Sequence, residues 1–180
     1  VFLPDELLTG DELRLKNMIR ENILHVKNVT SGRRVVGAVL YPQWISSDDG
    51  GLCMNIDELS AGCILGIFPS RYEPFLLTGL ETGKEGTPIV ISRACGFSDA
   101  VFEYEKRVGI SGGVIIVENT RLSELEILAD YACAMESIIR TYLRDKEKYK
   151  LMAKDAFDMA KYMSWEEPVK NYLELLGLLK

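Results

Sequence analysis

Four short runs constrain this chain most: Val35–Tyr41, Ile64–Phe68, Pro88–Ser92 and Gly113–Val117. Each is nearly continuous in apolar, β-prone residues rather than alternating, which is the pattern of a strand covered on both faces. Helical patterns separate them. Thr9-Gly10-Asp11-Glu12 reads as a capping box that opens a helix with the apolar stripe Leu15, Met18, Ile19 and Ile23. Asn55 and Glu58 start a short helix ending near Gly62, while Pro74 suits the first turn of the next helix and Gly86 its stop. Leu122, Leu125, Leu128, Ala132, Met135 and Ile139 mark a long amphipathic helix. A more polar helix covers about 145–161, and Ser164 with Glu167 caps a last one. This alternation predicts an α/β fold: a Rossmann-like, mainly parallel sheet with flanking helices and ligands at the strand carboxyl ends. Residues 1–180 read as a single domain, its C-terminal helices lying over about 121–179.

Composition narrows the class of partner. With 47% hydrophobic and 27% charged residues the balance is that of a globular chain, and the net charge of −6 argues against nucleic acid or an anionic membrane as partner. No apolar run approaches the roughly 20 residues of a membrane span. Cys53, Cys63, Cys95 and Cys133 form no C-x-x-C pair, so buried free thiols and a cytoplasmic location are expected, without a metal site. His25, the one histidine, falls at a predicted helix end, which leaves no histidine-based triad.

The chemistry concentrates after the second run, in Gly66-Ile67-Phe68-Pro69-Ser70-Arg71-Tyr72-Glu73-Pro74-Phe75 followed by Glu81. An apolar run ends at a proline–serine corner, and Glu73 stands where a helix is expected to start. Eight residues make about 2.2 turns, so Glu73 and Glu81 are expected on nearly one face of that helix, roughly 12 Å apart along its axis. Carboxylates pair with sugar hydroxyls, and unpaired N–H groups at a helix start hold phosphate. A nucleotide-sugar carries both. Arg71 either faces water or offers its charge to the phosphates. Gly96, in Ala94-Cys95-Gly96-Phe97 after the third run, serves a tight turn or a close backbone approach, and Cys95 lacks a base that would make it a nucleophile.

The stretch resembles the glutamate–seven residues–glutamate motif of retaining glycosyltransferases with the GT-B fold, and more narrowly the animal and fungal type of glycogen synthase. The likeness also runs through Tyr41-Pro42, Trp44-Ile45-Ser46, Ile56-Asp57-Glu58-Leu59, Gly62-Cys63, Ala94-Cys95-Gly96-Phe97, Ile115-Ile116-Val117 and Trp165. It implies Glu73 as the catalytic residue beside the reacting sugar carbon and Glu81 on the ribose hydroxyls. It places the donor diphosphate on the backbone around Leu77 and Thr78. The implied donor is UDP-glucose, with ADP-glucose the alternative, and no further cofactor is expected. The acceptor is an α-glucan reached through an N-terminal domain outside this chain, and self-association of the exposed inter-domain face is an expectation. On this reading the chain is the later part of a donor domain and inactive by itself.

Three departures stand out. Leu76 occupies a position where the family usually has glycine, and Ile56 one where it has an aromatic for the base. Asp155 and Asp158 replace arginines that in the regulated relatives sense a sugar phosphate, so glucose 6-phosphate activation is not expected. The alternative reading is a degenerate sugar-nucleotide-binding or regulatory module without turnover.

Overall fold

The computed structural model describes residues 9–29, 41, 44–109, 112–120 and 123–178. The elements are α1 (Gly10–Val29), α2 (Ile56–Ala61), β1 (Gly66–Phe68), α3 (Leu77–Lys84), β2 (Ile89–Ser92), α4 (Gly96–Val108), β3 (Val114–Val117), α5 (Glu124–Arg144), α6 (Lys146–Tyr162) and α7 (Glu166–Leu175). The chain divides into two compact units, Val1–Cys53 and Met54–Lys180, where the sequence reading has one domain. In the first unit, α1 follows the predicted helix start at Gly10, and the loop around Asp48 is held by one carboxylate. Asp49 accepts the N–H groups of Gly51 (2.8 Å), Cys53 (3.0 Å) and Ser46 (3.3 Å). These bonds, that from Cys53 foremost, lower its pKa to about 2. The predicted strand Val35–Tyr41 lies, but for Tyr41, outside the described residues.

In the second unit β1, β2 and β3 form a parallel sheet in that order, with Ile67 beside Val90 and Val90 beside Ile115. Three of the predicted strands are therefore present and parallel. Because successive side chains alternate across a strand, Phe68, Ile89, Ile91, Val114 and Ile116 face α3 and α4 and pack on Leu76, Phe97, Val101 and Tyr104. Ile67, Val90, Ile115 and Val117 face α5 and pack on Ile127, Tyr131, Ala134 and Ile138. Helix α6 serves both cores, with Met159 in the first and Met152 in the second.

Four expectations are corrected. The stripe assigned to α5 is not its core face: Leu125 and Leu128 are 80% and 64% exposed, whereas Tyr131, Ala134 and Ile138 are buried. Two apolar rows with helical spacing run along α5, and the sheet takes the one headed by Ile127. Helix α7 begins at Glu166 after Trp165, without a side-chain cap. Ser164 lies in the turn that follows α6, its N–H donating to the Lys161 carbonyl at 3.1 Å. Of the four cysteines, Cys95 is buried, while Cys53, Cys63 and Cys133 are exposed; all are free. The fourth correction concerns Pro74 and Glu73, which precede α3 rather than opening it.

Candidate functional site

Parallel strands followed by helices put three loops and three helix starts at one sheet edge, the edge where such sheets bind ligands. Glu73 sits there, half-buried, in a parallel bridge with Cys95. Its N–H donates to the Ala94 carbonyl (3.1 Å), and its own carbonyl accepts the Gly96 N–H (3.2 Å). One step on, the Phe97 N–H donates to the Phe75 carbonyl at 3.0 Å. A residue whose backbone is committed on both sides to a neighbouring chain cannot also open a helix, which is why Glu73 is extended. Gly96 makes this approach possible. A Cβ there would stand 2.2 Å from the Pro74 carbonyl oxygen, so the close-approach reading of this glycine holds.

The chain must then turn before α3 can begin. It does so at Leu76, in the left-handed region with φ 82° and ψ 62°. Glycine adopts this conformation without strain, so the expectation of a glycine here has a physical reason. Leucine here is strained by about 1–2 kcal/mol, but its side chain is 7% exposed and belongs to the core. It lies across Gly79, where a Cβ would meet Leu76 Cδ2 at 2.9 Å. The bulk of Leu76 is thus directed inward, away from the sheet edge.

Helix α3 starts at Leu77 with no side-chain cap and no acidic residue in its first turn. Leu77 and Thr78 are exposed there, and Glu81 is exposed farther along the helix. Leu77, Thr78 and Glu81 therefore share α3 as predicted, whereas Glu73 reaches the same edge from the bridge and not from the helix. Ile56 opens α2, half-buried, and α2 is tied to α3 by Lys84 Nζ on Asp57 at 3.1 Å.

The remaining predicted residues have other duties. Arg71 pairs with Glu124 at 2.9 Å, the two side chains 92% and 83% exposed, a contact worth little energetically. Cys95 donates its thiol to the Ser92 carbonyl (3.0 Å), and burial, seconded by the Glu73 charge, pushes its pKa up. That is the opposite of what a nucleophilic thiol needs. On α6, Asp155 accepts the Gly112 N–H at 3.1 Å and Asp158 pairs with Lys154.

Sequence reasoning missed Asn119. Two residues past β3, its side chain reaches both other loops, accepting from the Ala94 N–H (3.2 Å) and donating to the Ser70 carbonyl (3.1 Å). No periodicity or motif marks a lone asparagine in a loop. Beside it, a cavity of about 520 Å³ is lined by Pro69, Arg71, Glu124, Ile127, Leu128 and Tyr131, on the α5 side of the sheet and away from α3.

The sequence profile of glycogen synthase matches residues 9–165. The chain belongs to the glycogen synthase family. Similar curated proteins include the glycogen [starch] synthase of Dictyostelium discoideum, 30% identical over 105 residues that make up 55% of this chain and 12% of that protein. Isoform 1 of Saccharomyces cerevisiae is 29% identical over 132 residues, 71% of this chain and 18% of the yeast protein. The liver enzyme of Mus musculus is 39% identical over 69 residues, 38% of this chain and 10% of its own length. The family is one of glycosyltransferases, and this chain spans less than a fifth of each of these relatives. Among the described residues no helix is long and apolar enough to cross a membrane.

Proposed function

We propose that this chain forms the donor side of a retaining glucosyltransferase that moves glucose from UDP-glucose to the non-reducing end of an α-1,4-glucan. The observation that carries the reading is the pairing of an uncapped α3 start, free of acidic residues, with a backbone-anchored glutamate at the same sheet edge. The positive end of α3, at Leu77 and Thr78, receives the diphosphate. Glu81, four residues along and so about 6 Å down the axis, accepts hydrogen bonds from the ribose hydroxyls. Glu73 presents its carboxylate beside the sugar carbon where positive charge grows as the diphosphate departs, an electrostatic role that benefits from a fixed backbone. The glucan is held by parts of the protein beyond these residues. Three exposed free thiols fit a reducing compartment such as the cytosol. With Asp155 and Asp158 engaged within the fold, no sugar-phosphate activation through α6 is proposed.

Kinetics of the full-length protein carrying this chain test the assignment. Glu73→Gln is expected to lower turnover by about 100-fold or more with donor KM little changed. Glu81→Ala is expected to weaken donor binding by about 1–3 kcal/mol, the usual loss for hydrogen bonds to a charged group. Unchanged kinetics in both variants would remove these roles.

A further inference from the structure

We infer that Asn119 is a positioning residue for the Glu73 carboxylate; the inference rests on the role proposed above for Glu73. The strands β1 and β3 do not touch, since β2 runs between them. Asn119 nevertheless spans the end of β2 and joins all three loops through one amide group. Its Nδ2 donates to the Ser70 carbonyl, three residues before Glu73, and its Oδ1 accepts the Ala94 N–H. The other end of the Ala94 residue completes the chain, its carbonyl accepting the Glu73 N–H. The segment leading to Glu73 is therefore held at residue 70 directly and at residue 73 through one intervening residue.

The choice of side chain follows from its partners. A carbonyl can only accept and a backbone N–H can only donate, so the two contacts need an acceptor and a donor on one short planar group. Asparagine supplies both. Aspartate keeps the acceptor but sets a carboxylate oxygen against the Ser70 carbonyl, and leucine of similar shape supplies neither. The salt bridge from this loop, Arg71 to Glu124, is largely solvated and fixes little. The backbone bonds of the loop to Ala94, Gly96 and Phe97 begin only at Glu73, so Asn119 is what ties the stretch before it. Ser92 Oγ also accepts from the Ala94 N–H, at 2.9 Å, so losing Asn119 leaves Ala94 partnered but frees Ser70. The expected result is a loop that remains folded and carries Glu73 less accurately.

The test is Asn119→Leu and Asn119→Asp in the full-length protein, with UDP-glucose and glycogen as substrates and amide exchange read over residues 70–75. For Asn119→Leu, kcat is expected to fall about 10- to 100-fold, the loss that a misplacement of the order of 1 Å brings, with donor KM within about threefold. Exchange of the Glu73 amide should rise by about tenfold or more. Asn119→Asp should fall between this variant and the parent in both readouts, and it decides the matter if the leucine variant does not fold. Unchanged kcat together with unchanged exchange at Glu73 would overturn the inference. If Glu73→Gln proves fully active, the functional reading fails instead, while the exchange data still decide whether Asn119 anchors the loop.

Discussion

Helices α3, α4 and α5 all begin at the same edge of the sheet, and their first turns are finished in different ways. The contrast between α3 and α5 is the sharpest. Helix α5 starts at Ser123 with a complete capping box: the Ser123 hydroxyl accepts the Glu126 N–H, and the Glu126 carboxylate accepts the Ser123 N–H at 2.8 Å. Glu124 and Glu126 add negative charge to its first turn. Helix α4 has no side-chain cap, but its first N–H groups are consumed by the Glu73 and Phe75 carbonyls. Helix α3 begins at a strained leucine with neither cap nor acid. A helix start that satisfies itself serves stability; one left open at a ligand edge is available to an anion. The cavity beside α5 is bordered by Glu124, which already takes up the Arg71 charge, and by a helix start that is capped, so it offers a diphosphate little.

The largest effect is expected where the two kinds of helix start meet. Gly96→Ala would place a Cβ 2.2 Å from the Pro74 carbonyl oxygen, backbone that cannot yield without opening the Glu73–Cys95 bridge. Urea unfolding should register a loss of about 3 kcal/mol, and turnover should fall with it. A stable, active variant would mean that the bridge does not position Glu73. Next comes Leu76→Gly, which sets two terms against each other. Relief of the left-handed strain returns about 1–2 kcal/mol, while loss of a buried leucine costs about 2–5 kcal/mol, so the net expectation is destabilisation by about 1–3 kcal/mol. A stabilised variant would show that strain at the start of α3, and not core packing, dominates that position. The smallest effect belongs to α5. Ser123→Ala should lower Tm by about 3 °C and leave donor affinity unchanged. Because hydrogen bonds from Ser123 depress the Glu126 pKa in the folded state, their stabilisation is present above the ordinary carboxylate range and is lost as pH falls through it. The deficit of Ser123→Ala relative to the parent should accordingly narrow in acid; a deficit independent of pH would contradict the cap.

Much of this arrangement is legible in the sequence, and the illegible parts have physical causes. Near-continuous apolar runs identify β1, β2 and β3, because burial on both faces leaves no room for alternation. Asn55-x-x-Glu58 identifies α2, because a capping box is a local reciprocal contact. The register of Glu73 is a different matter. Proline after glutamate is equally at home in a first helical turn and in an extended bridge, and the choice is made by Ala94 and Gly96, some 20 residues away. The core face of α5 is misread for a similar reason, since two apolar rows share one period and the sheet selects between them. Leu76 illustrates the converse. The resemblance marks it as bulk where glycine is expected, and the fold turns that bulk into the core over Gly79.

The central claim is that the open start of α3 holds the donor diphosphate. Thr78→Glu in the full-length protein tests it directly, with UDP-glucose affinity by calorimetry and thermal stability measured on one sample. An acid in the first turn favours the helix by about 0.3–1 kcal/mol, so Tm should hold or rise. The same charge would repel the diphosphate, and Kd should weaken by about tenfold or more, or 1.4 kcal/mol. Weaker donor binding in a protein at least as stable as its parent is the expected result. An unchanged Kd would contradict the account.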